Sequence, residues 1–224
     1  KGLVVICHGL GGGAENYLAQ TLSFADEGYQ VFGYDNTGCY NSEGQSCIGL
    51  VQSVKDLDAA LTFIEGEDRF KGLPVYLYGH SWGGYALTAI FNYDHNVTAS
   101  VSVAGFNKPM QMIIEWARGM MGGFAYAEYP YIWLYQKTVF GGDLDLTAVN
   151  GINNTDTPIM IVHGTDDQTI GFGESAIIAY RDSITNPNAV YEIRDKENQN
   201  GHSTLFRSVE AVKYAEKLDE EYDR

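Results

Sequence analysis

The stretch Pro74–Gly84, Pro-Val-Tyr-Leu-Tyr-Gly-His-Ser-Trp-Gly-Gly, constrains the fold more than any other part of the chain. Val75–Tyr78 has the β-branched, aromatic and aliphatic composition of a buried strand. Gly79-His80-Ser81-Trp82-Gly83 follows without a break, and Tyr85 to Asn92 reads as a helix with small residues at its start. A G-x-S-x-G serine between a strand and a helix sits on a sharp turn. The flanking glycines answer a steric demand, because the backbone must bend tightly while strand and helix approach each other closely. Such a turn holds the Ser81 hydroxyl out at the carboxyl end of the sheet, near the first amides of the helix, as a nucleophile would need.

Around this stretch, strand-like and helix-like segments alternate. Leu3–His8 is a nearly continuous apolar run, as for a strand covered on both faces, and Gly9–Gly13 is a flexible turn. Glu15–Glu27 carries Tyr17, Leu18, Leu22 and Ala25 at helical spacing, closed by Gly28. Tyr29–Tyr34 is a strand leading into the turn Asp35–Gly38, and Ile48–Glu65 presents one apolar helical face. Further strands are expected at Ala99–Val103, Pro158–His163 and Val190–Ile193, with helices at Glu174–Ser183 and Leu205–Leu218. The alternation predicts an α/β domain, a mostly parallel sheet with helices on both faces, in which chemistry gathers at the carboxyl ends of the strands. The segment from about 106 to 156 breaks the rhythm with many aromatics and methionines. It is far longer than an ordinary connection and follows a strand that ends at the same rim as Ser81. We read it as a helical cap inserted into one domain spanning residues 1–224.

A chain of 224 residues with 45% hydrophobic content can bury one full core. Its net charge of −15 argues against nucleic acid and anionic membranes as partners, since phosphate recognition needs clustered Lys and Arg. Three cysteines cannot close a disulfide framework: Cys7 ends a buried strand, while Cys39 and Cys47 share one loop and could pair in an oxidising compartment. No Cys/His spacing resembles a zinc site, and no metal or organic cofactor is expected. Neither a secretory leader nor a transmembrane run is visible, which leans toward the cytoplasm but leaves open a leader or anchor in a longer parent. The chain opens at Lys1 directly on an apolar run and so reads as a domain cut from a longer protein.

A serine hydroxyl needs a base, and the base needs an acid to orient it. His8 and His163 each end a strand before a glycine, His80 lies inside the elbow and is expected to point away from the serine, and His95 sits in a polar loop and reads as solvated. His202 follows the last strand across a polar loop and has no apolar role, so it is the candidate base. The acid is expected in His163-Gly164-Thr165-Asp166-Asp167, where adjacent side chains point different ways and only one aspartate can reach the imidazole. Spacing alone does not choose between the two.

Taken together, these motifs resemble the α/β-hydrolase superfamily. The matching stretches are His8-Gly9-Leu10-Gly11, Asp35-Asn36-Thr37-Gly38 with Ser42-Glu43-Gly44, Gly79–Gly84, His163–Asp167 and Gly201-His202-Ser203, in the order nucleophile, acid, histidine. The similarity runs closest to serine aminopeptidase and dipeptidyl-peptidase-like hydrolases, small esterases and monoacylglycerol-lipase-like enzymes. It implies that Asp167 is the acid and that the backbone amides of Leu10 and Trp82 form an oxyanion hole. It also implies a pair of antiparallel strands ahead of the His-Gly strand, which this chain lacks. Cap aromatics, with Tyr126, Tyr129 and Trp133 foremost, are expected to wall the pocket for a small acyl or peptide substrate. A carboxylic ester is the first expectation and an aminoacyl or peptide amide the second, with Glu128 a conceivable partner for a substrate amine. A non-catalytic binding module would be expected to lack a triad member, and none is missing.

Overall fold

Near-continuous apolar strands need cover on both faces, and the architecture supplies it. The computed structural model describes residues 1–222. Its sheet is built from β1 (Leu3–Cys7), β2 (Gln30–Gly33), β3 (Val75–His80), β4 (Ala99–Val103), β5 (Ile159–Gly164) and β6 (Ala189–Arg194). The order is β2-β1-β3-β4-β5-β6, and every pairing is parallel. The sheet is thus parallel throughout among the described residues.

Strand alternation sends β1 side chains to two cores. Leu3, Val5 and Cys7 join the main core with α2 (Gln52–Gly66) and α3 (Trp82–Ala89). Val4 and Ile6 join a smaller cluster on the opposite face with Tyr17 and Phe24. The helix α3 is buried along its whole length, which explains why the sequence there carries no polar face. The long insertion folds into α4 (Pro109–Met121), α5 (Ala125–Phe140) and α6 (Ala148–Asn153). Of these, α6 packs back against α3, so the cap proper is α4 and α5.

Three local expectations shift. Helix α1 (Leu18–Asp26) covers the sheet through Phe24, which sits edge-on to Tyr29 and Tyr78. Leu18 and Leu22, expected on its buried face, are exposed. The segment expected as a helix at Glu174–Ser183 forms a 3-10 turn over Ile177–Ser183, because its start is held as a loop by the Glu115 carboxylate, which accepts from Gly171 N–H and Ser175 N–H. The last helix, α7 (Val209–Tyr222), starts four residues later than the apolar pattern suggests. Ser208 accepts from the Ala211 amide at 3.1 Å and sets that start, while Leu205 is buried against Val103 and Val162 instead of joining the helix. Cys7, Cys39 and Cys47 are all free thiols. No described helix is long and apolar enough to cross a membrane.

Candidate active site

The order of the strands decides where the site lies. The chain runs outward from β1 to β2, returns to β3 on the other side of β1, and then continues away. The loops after β1 and β3 therefore diverge around a crevice, the usual ligand position in an open parallel sheet. The loop after β1 is the Gly9-Leu10 turn, and the residue after β3 is Ser81.

Ser81 has φ 57° and ψ −115°, a conformation costing a non-glycine residue about 1–3 kcal/mol. The surrounding packing enforces it. The Ser81 amide donates to the Val103 carbonyl at 2.8 Å, and its carbonyl accepts from the Tyr85 amide at 3.1 Å. A Cβ on Gly83 would run into the Cys7 carbonyl, and one on Gly79 into the Gly83 carbonyl. The elbow therefore needs those glycines for close approach. Its hydroxyl faces a cavity of about 280 Å³ that is also lined by Leu10, Tyr17, His80, Trp116, Thr169 and His202.

The imidazole of His202 shares that cavity, and its Nδ1 lies 2.7 Å from Asp167 Oδ2. No hydrogen bond joins Ser81 Oγ to His202 among the described residues; in unliganded sites such bonds are often long and tighten when substrate binds. Asp167 is only 5% exposed. Its Oδ1 accepts from the amides of Thr169 (2.9 Å) and Ile170 (2.8 Å), and its Oδ2 also lies 3.3 Å from His163 Nε2. Burial alone would raise this carboxyl's pKa, but the His163 and His202 hydrogen bonds outweigh it and hold the group well below the usual carboxylate range. Asp166, the neighbour that spacing could not separate from it, instead accepts from Gln168 at the exposed surface.

The amides of Leu10 and Trp82 donate to no protein acceptor among the described residues. Trp82 is the first residue of α3, where amide donors are left free by helix geometry. Buried His8 braces the turn that carries Leu10: its Nε2 accepts from the Asn36 amide at 2.8 Å, which leaves its Nδ1–H to donate to the Gly9 carbonyl at 2.8 Å. Among the described residues, no group of three or more His, Cys, Asp or Glu is placed to hold a metal ion.

Two expectations need correcting. Tyr126, Tyr129 and Trp133 do not line the Ser81 cavity; they surround a larger one of about 730 Å³ between α4 and α5. The cap aromatic at the serine is Trp116 of α4, drawn there because its indole N–H donates to the Thr169 carbonyl at 3.1 Å in the loop after β5. His80, expected to point away from the serine, places its Nε2 2.9 Å from the His202 carbonyl, with the two rings 4.8 Å apart. His95 is not solvated; its nitrogens meet Glu65 at 2.9 Å and Asp58 at 2.8 Å. Trp116 and His80 stood in the sequence as an aromatic among many and as a motif residue. Neither carried a local signal of its partner, which lies 53 residues away for Trp116 and 122 for His80.

Residues 1–141 match the family model described as serine aminopeptidase, S33. Comparison with curated proteins finds no match. Among solved structures, the chain is similar to the esterase Pf2001 of Pyrococcus furiosus, at 20% identity over 98% of this chain and 81% of that one, with a TM-score of 0.69. It is similar to Est1E of Butyrivibrio proteoclasticus, solved with ferulic acid bound, at 19% identity over 100% and 90% of the two chains and a TM-score of 0.68. A monoacylglycerol lipase of Paleococcus ferrophilus aligns at 14% identity over 95% and 93%, with a TM-score of 0.60. Identities at this level speak to the fold, and the fold is that of the α/β-hydrolases.

Proposed function

The chain belongs to the serine aminopeptidase S33 family of α/β-hydrolases, and from that membership we propose that it hydrolyses carboxylic esters through an acyl-enzyme on Ser81. The observation that carries the reading is the convergence at one cavity of a strained serine and an imidazole held by a buried carboxylate. In the proposed mechanism, the Ser81 hydroxyl attacks the ester carbonyl carbon while His202 Nε2 takes its proton. Asp167 holds the Nδ1–H tautomer and stabilises the imidazolium. The developing oxyanion is received by the amides of Leu10 and Trp82, each such donor being worth about 3–4 kcal/mol. The tetrahedral adduct collapses as His202 protonates the departing alkoxide. A water, deprotonated by the same imidazole, then cleaves the acyl-enzyme and frees the acid.

An ester is favoured over a peptide by what lines the cavity. An aminopeptidase must neutralise the substrate's ammonium group, and no carboxylate is among the residues around Ser81. Glu128 on α5 lines neither this cavity nor the larger one in the cap. A volume of about 280 Å³ also sits at the small end of ligand sites, which typically span about 300–1,000 Å³, and so favours short acyl groups. The family description keeps amide hydrolysis as the second reading. A fluorophosphonate probe on wild type and Ser81→Ala, followed by p-nitrophenyl esters and aminoacyl amides, tests both. Labelling lost in Ser81→Ala, with esters turned over faster than amides, supports the proposal. Faster amide turnover reverses the ranking, and an unlabelled wild type removes the serine mechanism.

A further inference from the structure

Behind the elbow runs a chain of hydrogen bonds that the mechanism above leaves unused. The Gly9 amide donates to the Tyr17 hydroxyl at 3.0 Å; that oxygen lies 3.1 Å from His80 Nδ1; and His80 Nε2 lies 2.9 Å from the His202 carbonyl. Chemistry fixes the direction of every link. A carbonyl only accepts, so His80 Nε2 carries the proton. The neutral imidazole then offers Nδ1 as an acceptor, and the Tyr17 hydroxyl, already accepting from Gly9, donates to it. Both groups keep the protonation this requires, since burial and the nearby His202 push the His80 pKa down to about 4 and burial pushes Tyr17 up to about 12.

The two ends of this chain are the two loops that must hold register with Ser81. One is the turn that contributes the Leu10 amide. The other is the loop that carries His202, which has no regular secondary structure between β6 and α7. Asp167 fixes the His202 ring through Nδ1, but a ring fixed to a wandering backbone would still wander. The Asp166 amide holds that backbone at the Asn200 carbonyl (3.1 Å) and the Thr204 hydroxyl at the Gly201 amide (3.0 Å), and His80 adds a restraint at the His202 carbonyl itself. Tyr17, His80 and His202 line both the Ser81 cavity and a second cavity of about 450 Å³, so this part of the loop has open space beside it and leans on its hydrogen bonds.

We propose that Tyr17 and His80 are positioning residues of the reaction, a neutral relay that fixes the His202 loop and the Leu10 turn relative to each other. The inference rests on the reading of Ser81 and His202 as nucleophile and base, and acts through them. Tyr17→Phe, His80→Phe and their double variant are compared for kcat and KM on a short p-nitrophenyl ester, for the fluorophosphonate labelling rate, and for Tm. Each single variant is expected to lose about tenfold in kcat, within the roughly hundredfold that a 1 Å misplacement costs, with KM changed less than about threefold. The labelling rate should fall in parallel. The double variant should be no worse than the poorer single one, because either change breaks the same chain. His80→Gln, which keeps a donor for the His202 carbonyl, should recover most of the loss while His80→Phe does not. Unchanged kcat in both single variants, losses that multiply in the double, or activity that follows Tm alone overturns the relay while leaving the serine mechanism standing. Failure of wild type to label at Ser81 overturns the mechanism and the relay together.

Discussion

The strand-end rim and the cap above it are built on opposite terms. At the rim, Ser81, Asp167, His202 and His80 each occupy a position enforced by backbone strain or by hydrogen bonds of fixed direction. In the cap, α5 buries only Ala125, Gln136 and Phe140 and leaves Tyr131, Leu134 and Tyr135 in solvent. Helix α4 stands between these extremes. Glu115 holds the amides of Gly171 and Ser175, Trp116 holds the Thr169 carbonyl, and Arg118 pairs with Glu174. All three reach the loop that follows Asp167. The contrast teaches that the cap meets the chemistry through α4, so substitutions should change rate at the rim, selectivity in α4 and neither in the outer face of α5.

The largest effect expected from this contrast is at the proposed acid. In Asp167→Asn, Oδ1 still accepts from the Thr169 and Ile170 amides, so the loop keeps its shape. The new amide group, however, presents N–H where an acceptor stood, which favours the His202 tautomer with no proton on Nδ1 and so no free base at Nε2. A loss of about 10⁴ in kcat follows, with a fall in Tm as the carboxylate's contacts with His163 and His202 are lost. Asp166→Asn, one residue away and with its carboxylate hydrogen-bonded only to exposed Gln168, should stay within about twofold. Steady-state kinetics on the same ester compares the two; a greater loss at Asp166 would remove Asp167 from its proposed role.

A smaller and qualitatively different effect is expected at Trp116. Truncation to Ala opens the wall of a small cavity without touching Asp167 or His202, so the ratio of kcat/KM for p-nitrophenyl octanoate over acetate should rise about tenfold. Trp116→Phe, which keeps the bulk and loses the bond to Thr169, should leave that ratio within about threefold. Tyr131→Ala, on the exposed face of α5, should change neither ratio nor rate. If Tyr131→Ala shifts chain-length preference as much as Trp116→Ala, the distinction between the two cap helices is lost.

How much of this could be read from sequence follows from the range of the interactions. The strands, the elbow and the parallel sheet were legible because apolar runs and Gly-His-Ser-Trp-Gly are local patterns. The Asp167–His202 pair was reachable because each residue ends or follows a strand at the same rim; choosing Asp167 over Asp166 took the family resemblance. What stayed hidden depends on pairs distant in the chain: His80 with Tyr17, 63 residues apart, and Trp116 with Thr169. The cap aromatics misled for a related reason. Composition marks Tyr126, Tyr129 and Trp133 as pocket formers, which they are, but nothing local says which cavity they enclose. On α1, helical spacing puts Leu18 and Leu22 inward, whereas the face is decided by Phe24 meeting Tyr78 on the sheet face that α1 covers.

The smallest expected effect lies away from both regions, where polar sequence reads as solvated loop. His95 joins the connection between β3 and β4 to α2 by placing one ring nitrogen on Glu65 and the other on Asp58. Two acceptors at two nitrogens are satisfied together only by the imidazolium. Burial opposes that charge, but the two carboxylates prevail and raise the pKa above the ordinary histidine value. A group whose pKa is higher folded than unfolded adds stability that is complete below its unfolded pKa, about 6.5, and fades as pH rises through the folded value. His95→Gln, which can donate to only one carboxylate at a time, should therefore lower Tm by more at pH 5.5 than at pH 9, with kcat on a short ester untouched at neutral pH. A Tm difference between wild type and variant that is constant from pH 5.5 to 9 would show that the imidazole serves there as a neutral packing group. A fall in kcat would show that the rim extends further from Ser81 than the hydrogen bonds trace.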